Sequence, residues 1–442
     1  MPLQTDQPRS ETLRSPSPSP MSSPPRGHGN PVGRLGAYLV ESLRELWVRP
    51  PHQVPALDGL RAMAILLVVC AHFFGFFWDY HVKEPLPGMA ALPMFNLGWT
   101  GVDLFFVLSG YLIGKQLWRE RAKTGTVQFW PFILRRGMRI WPLFYFMILF
   151  YTLVPLEVKT SAWDFVFLTN FHRGVGFDDA WSLSTEEQFY ILVPLLLIVT
   201  ASIRRWWLYY VGLVGVIVVE WLSRAHVMQT LMARGLQGHE LLNAMHYPIH
   251  LHADGLIAGL AIALISERHP ARFRAPNSAG VSWHGLGIFI GATALGVALR
   301  QTNKTIFAFT ALGMLYGSLT LWMLWDRSVL TSPARWRIWY PISRLSYGMY
   351  LNNFAILPGI TLWAFMTARS VTGSLIAACM IGLVTGALVS MGVATVTFIL
   401  VERPFLILRD RLLHRKVHMH AATAIGEGYP APNVATTATS SR

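Results

Sequence analysis

Leu57 to Trp78 reads LDGLRAMAILLVVCAHFFGFFW, an apolar run interrupted by Asp58, Arg61 and His72. At about 100° per residue, the eleven-residue step from Arg61 to His72 returns to nearly the same face of a helix, about 16 Å further along its axis. Asp58 falls on that face too. An ionisable side chain inside a bilayer costs several kcal/mol unless it is paired or faces a protein interior, so three on one stripe mark a functional site. The structural alternative has Asp58 capping the helix, Arg61 snorkelling to the headgroups and His72 as a satisfied buried histidine.

A second set of chemistry-bearing residues lies in AWSLSTEEQFYILVP, at the outer end of another apolar span. Ser184 and Glu187 have capping-box spacing, which accounts for both and leaves Glu186 over. Topology places Glu186 near the depth of His72, and an imidazole held by a carboxylate is the usual general base near neutral pH. Between these stretches, FILRRGMRIWPLFYF sets Arg136 and Arg139 three apart on one helical face. A guanidinium cluster at a cytoplasmic mouth suits phosphate, although membrane topology and anionic lipid explain it equally well. GWTGVDLFFVLSGYLIG places Ser109 and Tyr111 mid-span among glycines that permit close helix packing. His250 and His252 near Asp254 form a His-x-His pattern without an evident fourth ligand, so no metal site is expected.

The elements that must position these residues are membrane helices. Of 442 residues, 53% are hydrophobic and only 14% charged, against about a quarter in soluble domains. Runs of about 17 to 25 apolar residues match a hydrocarbon core about 30 Å thick. Ten such runs centre near Leu67, Phe106, Met147, Leu196, Val214, Gly259, Ala292, Leu315, Ile356 and Leu388. The expected fold is therefore all-α and polytopic, with about ten transmembrane helices. Counting Lys and Arg by loop puts both termini in the cytoplasm. The net charge of +14 is spread between apolar spans rather than over a soluble basic face, so nucleic acid is not an expected partner. Residues 1–33, rich in Pro, Ser and Arg, and residues 411–442 read as disordered cytoplasmic tails. The first lacks the apolar core of a signal peptide. Residues 34–54 have amphipathic character and read as an interfacial segment, ahead of a transmembrane domain over 55–410. Cys70 and Cys379 lie in apolar spans and show neither ligand nor disulfide spacing.

Taken together, LDGLRAMAILLVVCAH, FFVLSGYL, RRGMRIWP, WSLSTEEQFY and the closing VERPF resemble acyltransferase family 3, the membrane O-acyltransferases that include O-antigen, exopolysaccharide and nodulation-factor acetylases. The resemblance covers most of residues 55 to 410. It implies a ten-helix inner-membrane enzyme that takes an acetyl or other short acyl group from cytoplasmic acyl-CoA, a co-substrate and not a bound cofactor. The acceptor is a hydroxyl of a cell-surface or exported carbohydrate or glycolipid. His72 is implied as the base or acyl-handling residue, supported by Arg61 and Glu186. Acyl-CoA would set its phosphates on Arg136 and Arg139 and pass its pantetheine arm inward beyond Arg61. Asp58, Ser109, Tyr111, Trp181, Ser182, Gln188, Tyr190, Asp254, Tyr347 and Asn353 are implied as supporting or acceptor-binding residues. Two positions depart from the family pattern. His252 stands where members often carry Arg two residues before the acid, and SYGMYLNNF carries Asn353 where members often place His. The competing readings are a proton-coupled transporter or flippase, whose expected internal repeat is not evident, and an acyltransferase acting on a lipid or macrolide.

Overall fold

The computed structural model describes residues 31–51, 53–80, 97–154, 158–172, 174–237, 239–273 and 282–412. The tail expected at 1–33 and the one expected at 411–442 fall almost wholly outside the described residues.

The long helices are α1 (Pro31–Trp47), α2 (Pro55–Tyr80), α3 (Gly101–Thr124), α4 (Phe129–Leu153), α5 (Trp181–Val199), α6 (Trp207–Ala233), α7 (Asp254–Arg268), α8 (Trp283–Thr302), α9 (Ala308–Trp325), α10 (Trp339–Ile356), α11 (Leu362–Thr372) and α12 (Leu375–Thr397). No strand occurs among the described residues. A helix covers each of the ten expected span centres. Among the described residues, six stretches are long and apolar enough to cross a membrane, and the bent pair Trp339–Ala355 and Pro358–Thr372, meeting at 71°, is a seventh candidate. The chain is an all-helical, multi-pass membrane protein.

Helices α3, α4 and α7 are absent from those seven: α7 has only 15 residues, α4 carries Arg135, Arg136 and Arg139, and α3 is enclosed by the bundle. α3 runs through the middle of the bundle with Leu104, Phe106, Val107, Leu108, Ile113, Leu117 and Trp118 buried, so protein rather than lipid surrounds it. It therefore tolerates polar and charged residues that a lipid-facing helix would not. Its most extensive packing is against α7. There a Cβ added at Gly110 would overlap the Leu256 carbonyl oxygen, and one at Gly259 the Val107 carbonyl oxygen, so the crossing depends on two bare backbones. By contrast, α6 and α8 bury only a tenth of their apolar windows and form the periphery.

Several charged residues inside this bundle are paired. Arg121, at the end of α3, donates to the carbonyl oxygens of Leu197, Thr200, Ala201 and Ile203 at 2.9–3.2 Å, satisfying the orphan carbonyls where α5 ends. Arg224 of α6 is fully buried and donates to Asp254 at 3.0 Å, while Thr310 of α9 binds the same carboxylate. That arrangement answers the departure at residue 252. The cation facing Asp254 arrives from α6, which frees His252 to bond Asp103 of α3 at 2.8 Å and the His246 carbonyl at 2.6 Å.

Helix α1 leaves Val32, Leu35, Leu39, Val40, Leu43 and Trp47 exposed while burying Ser42 and Leu46. It is fixed to the end of the bundle by Tyr38, whose hydroxyl donates to the Ile399 carbonyl at 2.6 Å, and by Glu45, which pairs with Arg403 at 2.9 Å.

Candidate active site

Three cavities share walls and run from the α3–α4 turn into the bundle. The outermost, about 460 Å³, is lined by Lys115, Gln116, Arg119, Glu120, Lys123 and Arg135. It shares Leu112, Lys115 and Arg119 with a second of about 490 Å³, which adds Asp58, Arg61, Tyr111, Arg139, Tyr340 and Arg344. The innermost, about 120 Å³, shares Arg61, Leu112 and Arg139 with the second and adds Ser109, Arg136, Ser182, Glu186, Tyr190, Tyr347 and Tyr350. Positive charge therefore lines the whole path, and hydroxyls and the Glu186 carboxylate join the arginines only in its innermost part.

Each charged side chain in this path has a positional cause. Asp58, one turn into α2, is held by Arg49 at 2.7 Å and by the Ser343 hydroxyl at 3.4 Å, so it is an ion-pair partner of the preceding segment rather than a free cap. Arg61 lies on the same stripe and reaches both inner cavities. Neither Arg61 nor Arg139 has a hydrogen-bond partner among the described residues, so their guanidinium donors are open to an anionic guest. Arg136 donates to Gln116 at 3.1 Å. The expectation of Arg136 and Arg139 at the mouth is corrected here: both lie deep beside Arg61 and Glu186, because α4 enters the bundle at Phe129 and carries them inward by two to three turns. The mouth cations are Lys115, Arg119, Lys123 and Arg135.

Glu186 of α5 accepts from Ser109 at 2.7 Å and from Tyr190 at 2.7 Å, one bond to each carboxylate oxygen. It does not pair with His72, as the sequence reading expected. His72 faces away from the innermost cavity's carboxylate and is held instead by Asn353 of α10 and by Asp179, whose carboxylate lies 3.9 Å from Nε2. The reason is the 3₁₀ turn Asp178–Ala180, which precedes α5 and reaches the imidazole first. The same turn starts α5 at Trp181, so the capping box expected at Ser184 and Glu187 does not form. Glu187 is buried and accepts from the Trp141 indole N–H at 2.9 Å.

Two hydroxyls on the wall of the innermost cavity anchor the turn and the helix that hold the groups beside His72. Tyr350 donates to the Asp179 backbone carbonyl at 2.6 Å and so accepts from Ser182, also at 2.6 Å. The Asn353 amide donates to the Tyr350 carbonyl at 3.0 Å, which turns its oxygen toward His72. Nδ1 of the imidazole is thereby the donor, and in the neutral ring the lone pair sits on Nε2.

The remaining expected residues divide between the cavity walls and the scaffold. Tyr347 lines the innermost cavity and donates to the Ile140 carbonyl at 2.8 Å, and Tyr111 accepts from Lys115 at 3.2 Å in the second. Gln188 exchanges hydrogen bonds with Asn170 and donates to the Phe167 carbonyl at 2.8 Å, tying the preceding loop to α5. Trp181 packs among Phe106, His246 and His252. Asp254 belongs to the Arg224 cluster and does not line these cavities. Sequence reasoning missed Asp179, Tyr350 and Arg344. Tyr350 had a visible signal, since it follows Tyr347 by three residues on one helical face.

These linked cavities with their buried arginines sit within a membrane bundle, and a match to a family of acyltransferases makes the chain a multi-pass membrane acyltransferase. The family model for acyltransferase family 3, described as an acyltransferase domain, matches residues 54–400, and the chain belongs to that family. It is 28% identical over 333 residues to YrhL of Bacillus subtilis (strain 168), provisionally named a peptidoglycan O-acetyltransferase, covering 69% of this chain and 48% of YrhL. It is 29% identical over 238 residues to the peptidoglycan O-acetyltransferase OatA of Listeria monocytogenes serovar 1/2a, covering 48% of this chain and 34% of OatA. It is also 28% identical over 335 residues to the acyltransferase MdmB of Streptomyces mycarofaciens, covering 70% of this chain and 80% of MdmB. The chain thus spans less than half the length of the first two relatives. No solved structure matches.

Proposed function

We propose that this protein moves an acetyl or other short acyl group from cytoplasmic acyl-CoA to a hydroxyl of an exported glycan, with peptidoglycan the leading candidate from the names of YrhL and OatA. It does so as a ten-span protein of the bacterial inner membrane with both termini cytoplasmic. α1 lies along the cytoplasmic surface with its apolar face in the lipid.

The observation that carries this reading is the graded cavity. Its basic mouth matches the phosphates of a CoA nucleotide, since guanidinium and ammonium groups bind phosphate by charge-assisted hydrogen bonds. Its inner walls narrow to a size suited to a pantetheine arm, with Arg61, Arg136 and Arg139 along them. The path ends at Ser182 and Tyr350, which anchor the turn whose Asp179 carboxylate stands 3.9 Å from His72. There the acceptor hydroxyl oxygen forms a bond to the thioester carbonyl carbon and the C–S bond breaks. Nε2 of His72 takes the hydroxyl proton and returns it to the departing thiolate. If the acyl group rests on the enzyme first, the same proton transfers serve both halves of the reaction.

Purified protein given labelled acetyl-CoA and a panel of peptidoglycan fragments, other exported glycans, lipids and small hydroxylated compounds tests this reading. The expected result is one CoA released per ester formed on a glycan. No CoA release with any acceptor in the panel would contradict enzymatic transfer and favour a transporter. Label confined to lipid or small-molecule acceptors would overturn the glycan assignment.

A further inference from the structure

We propose that Asp179, not Glu186, is the positioning residue for His72, fixing the imidazole with Asn353 and stabilising the imidazolium that forms during transfer. The inference rests on the reading of His72 as general base and assigns the machinery around it.

The geometry is that of a histidine hydrogen-bonded at Nδ1 with a carboxylate standing off its other nitrogen. Asn353 fixes Nδ1 as the donor, because its own amide N–H is committed to the Tyr350 carbonyl. That leaves Nε2 to accept the substrate proton, and the Asp179 carboxylate stands 3.9 Å from that atom. A carboxylate at this range favours the charged ring once the proton arrives. The turn holding Asp179 is anchored: its backbone carbonyl accepts from Tyr350, whose hydroxyl in turn accepts from Ser182 on the cavity wall. One element thus couples the cavity lining to the base. Glu186 cannot play this part, since both of its oxygens are engaged by Ser109 and Tyr190 and it faces Arg61 and Arg136.

The ionisable surroundings of His72 are few. α10 contributes Asn353, Tyr350 and the edge of Phe354, the 3₁₀ turn contributes Asp179, and α4 contributes Tyr151 near the far side of that carboxylate. On α2 itself, Cys70, Arg61 and Asp58 precede His72, the latter two by more than two turns, and Asp79 and Tyr80 follow it by seven and eight residues. Asp179 is therefore the anion whose removal the base should sense among the described residues.

The test is the pH dependence of kcat/KM for acetyl transfer by matched amounts of monodisperse full-length protein. Asp179→Asn should lower the rate at neutral pH by about tenfold or more and move the acid limb to lower pH by about half a unit or more, because the imidazolium loses its counter-charge. The sign follows from the base needing to be unprotonated: a less favoured charged form lets activity persist to lower pH. Asp179→Glu should restore part of the rate and the original limb. Asn353→Asp, which sets a second carboxylate at Nδ1, should move the limb to higher pH and serves as the readout if Asp179→Asn does not accumulate. A reduced rate with the limb unmoved in both the Asp179→Asn and Asn353→Asp proteins would overturn the proposal, as would unchanged activity in Asp179→Asn. His72→Ala in the same assay separates the two readings: if it stays active, the general-base assignment itself fails, whatever Asp179 does.

Discussion

Adjacent residues Glu186 and Glu187 show how little a residue's type says about its task. Glu187 accepts one hydrogen bond, from the Trp141 indole, and a glutamine carbonyl can accept that bond equally well. Glu186 accepts two, one at each oxygen, while offsetting Arg61 and Arg136 across the cavity. Glutamine there supplies one acceptor where two are needed and no charge. Glu186→Gln should accordingly lose about a hundredfold or more in activity, and Glu187→Gln should stay within about threefold, measured as acyl transfer per folded molecule. Arg139 makes the companion case. With no hydrogen-bond partner among the described residues, its guanidinium N–H groups are open to the acyl donor, so Arg139→Ala should raise the KM for acyl-CoA more than it lowers kcat, and Arg139→Lys should recover only part of that loss. An unchanged KM in both Arg139 variants would remove it from the donor path. The sequence singled out His72, Arg61 and Glu186 but not what they touch. Partnership is a long-range property: Asp179 lies more than a hundred residues from His72, and nothing in its neighbourhood, FDDAW, distinguishes it from its neighbour Asp178.

At the scale of elements, the reading from apolar periodicity placed a helix at each expected centre, because length and hydropathy suffice for that. It misjudged how the elements begin. The start of α5 was drawn at Ser184 from a capping pattern, whereas the 3₁₀ turn Asp178–Ala180 starts the helix at Trp181. Local spacing could not reveal a turn held in place by Tyr350 from another helix. Helix packing was more legible, since the glycines of GWTGVDLFFVLSGYLIG do lie in a close crossing. A methyl group at Gly110 would meet the Leu256 carbonyl, and backbone cannot yield as a side chain can. Gly110→Ala should therefore reduce accumulation of folded protein severalfold, read by fluorescence-detected size exclusion in detergent. Gly287→Ala on peripheral α8, where a Cβ meets no neighbouring atom, should leave accumulation unchanged.

For the whole molecule, the account is directional: donor at one end of the bundle, acceptor chemistry toward the other. The basic cavity opens where α3 meets α4, on the side that loop charge assigns to the cytoplasm. In protein lacking Cys70 and Cys379, a cysteine at Lys123 should react with a membrane-impermeant maleimide only from the cytoplasmic face, and one at exposed Val175 only from the opposite face. Reaction of both from one face would break the proposed arrangement. The claim on which all of this depends is that His72 performs the proton transfer at the end of that path. Its most direct measurement is acceptor-dependent CoA release by purified wild-type and His72→Ala proteins, matched for folded amount and supplied with saturating acetyl-CoA and glycan. Loss of a general base predicts a fall of about a hundred- to ten-thousandfold in the variant. A rate within about threefold of wild type would contradict the account, since no general-base contribution is that small.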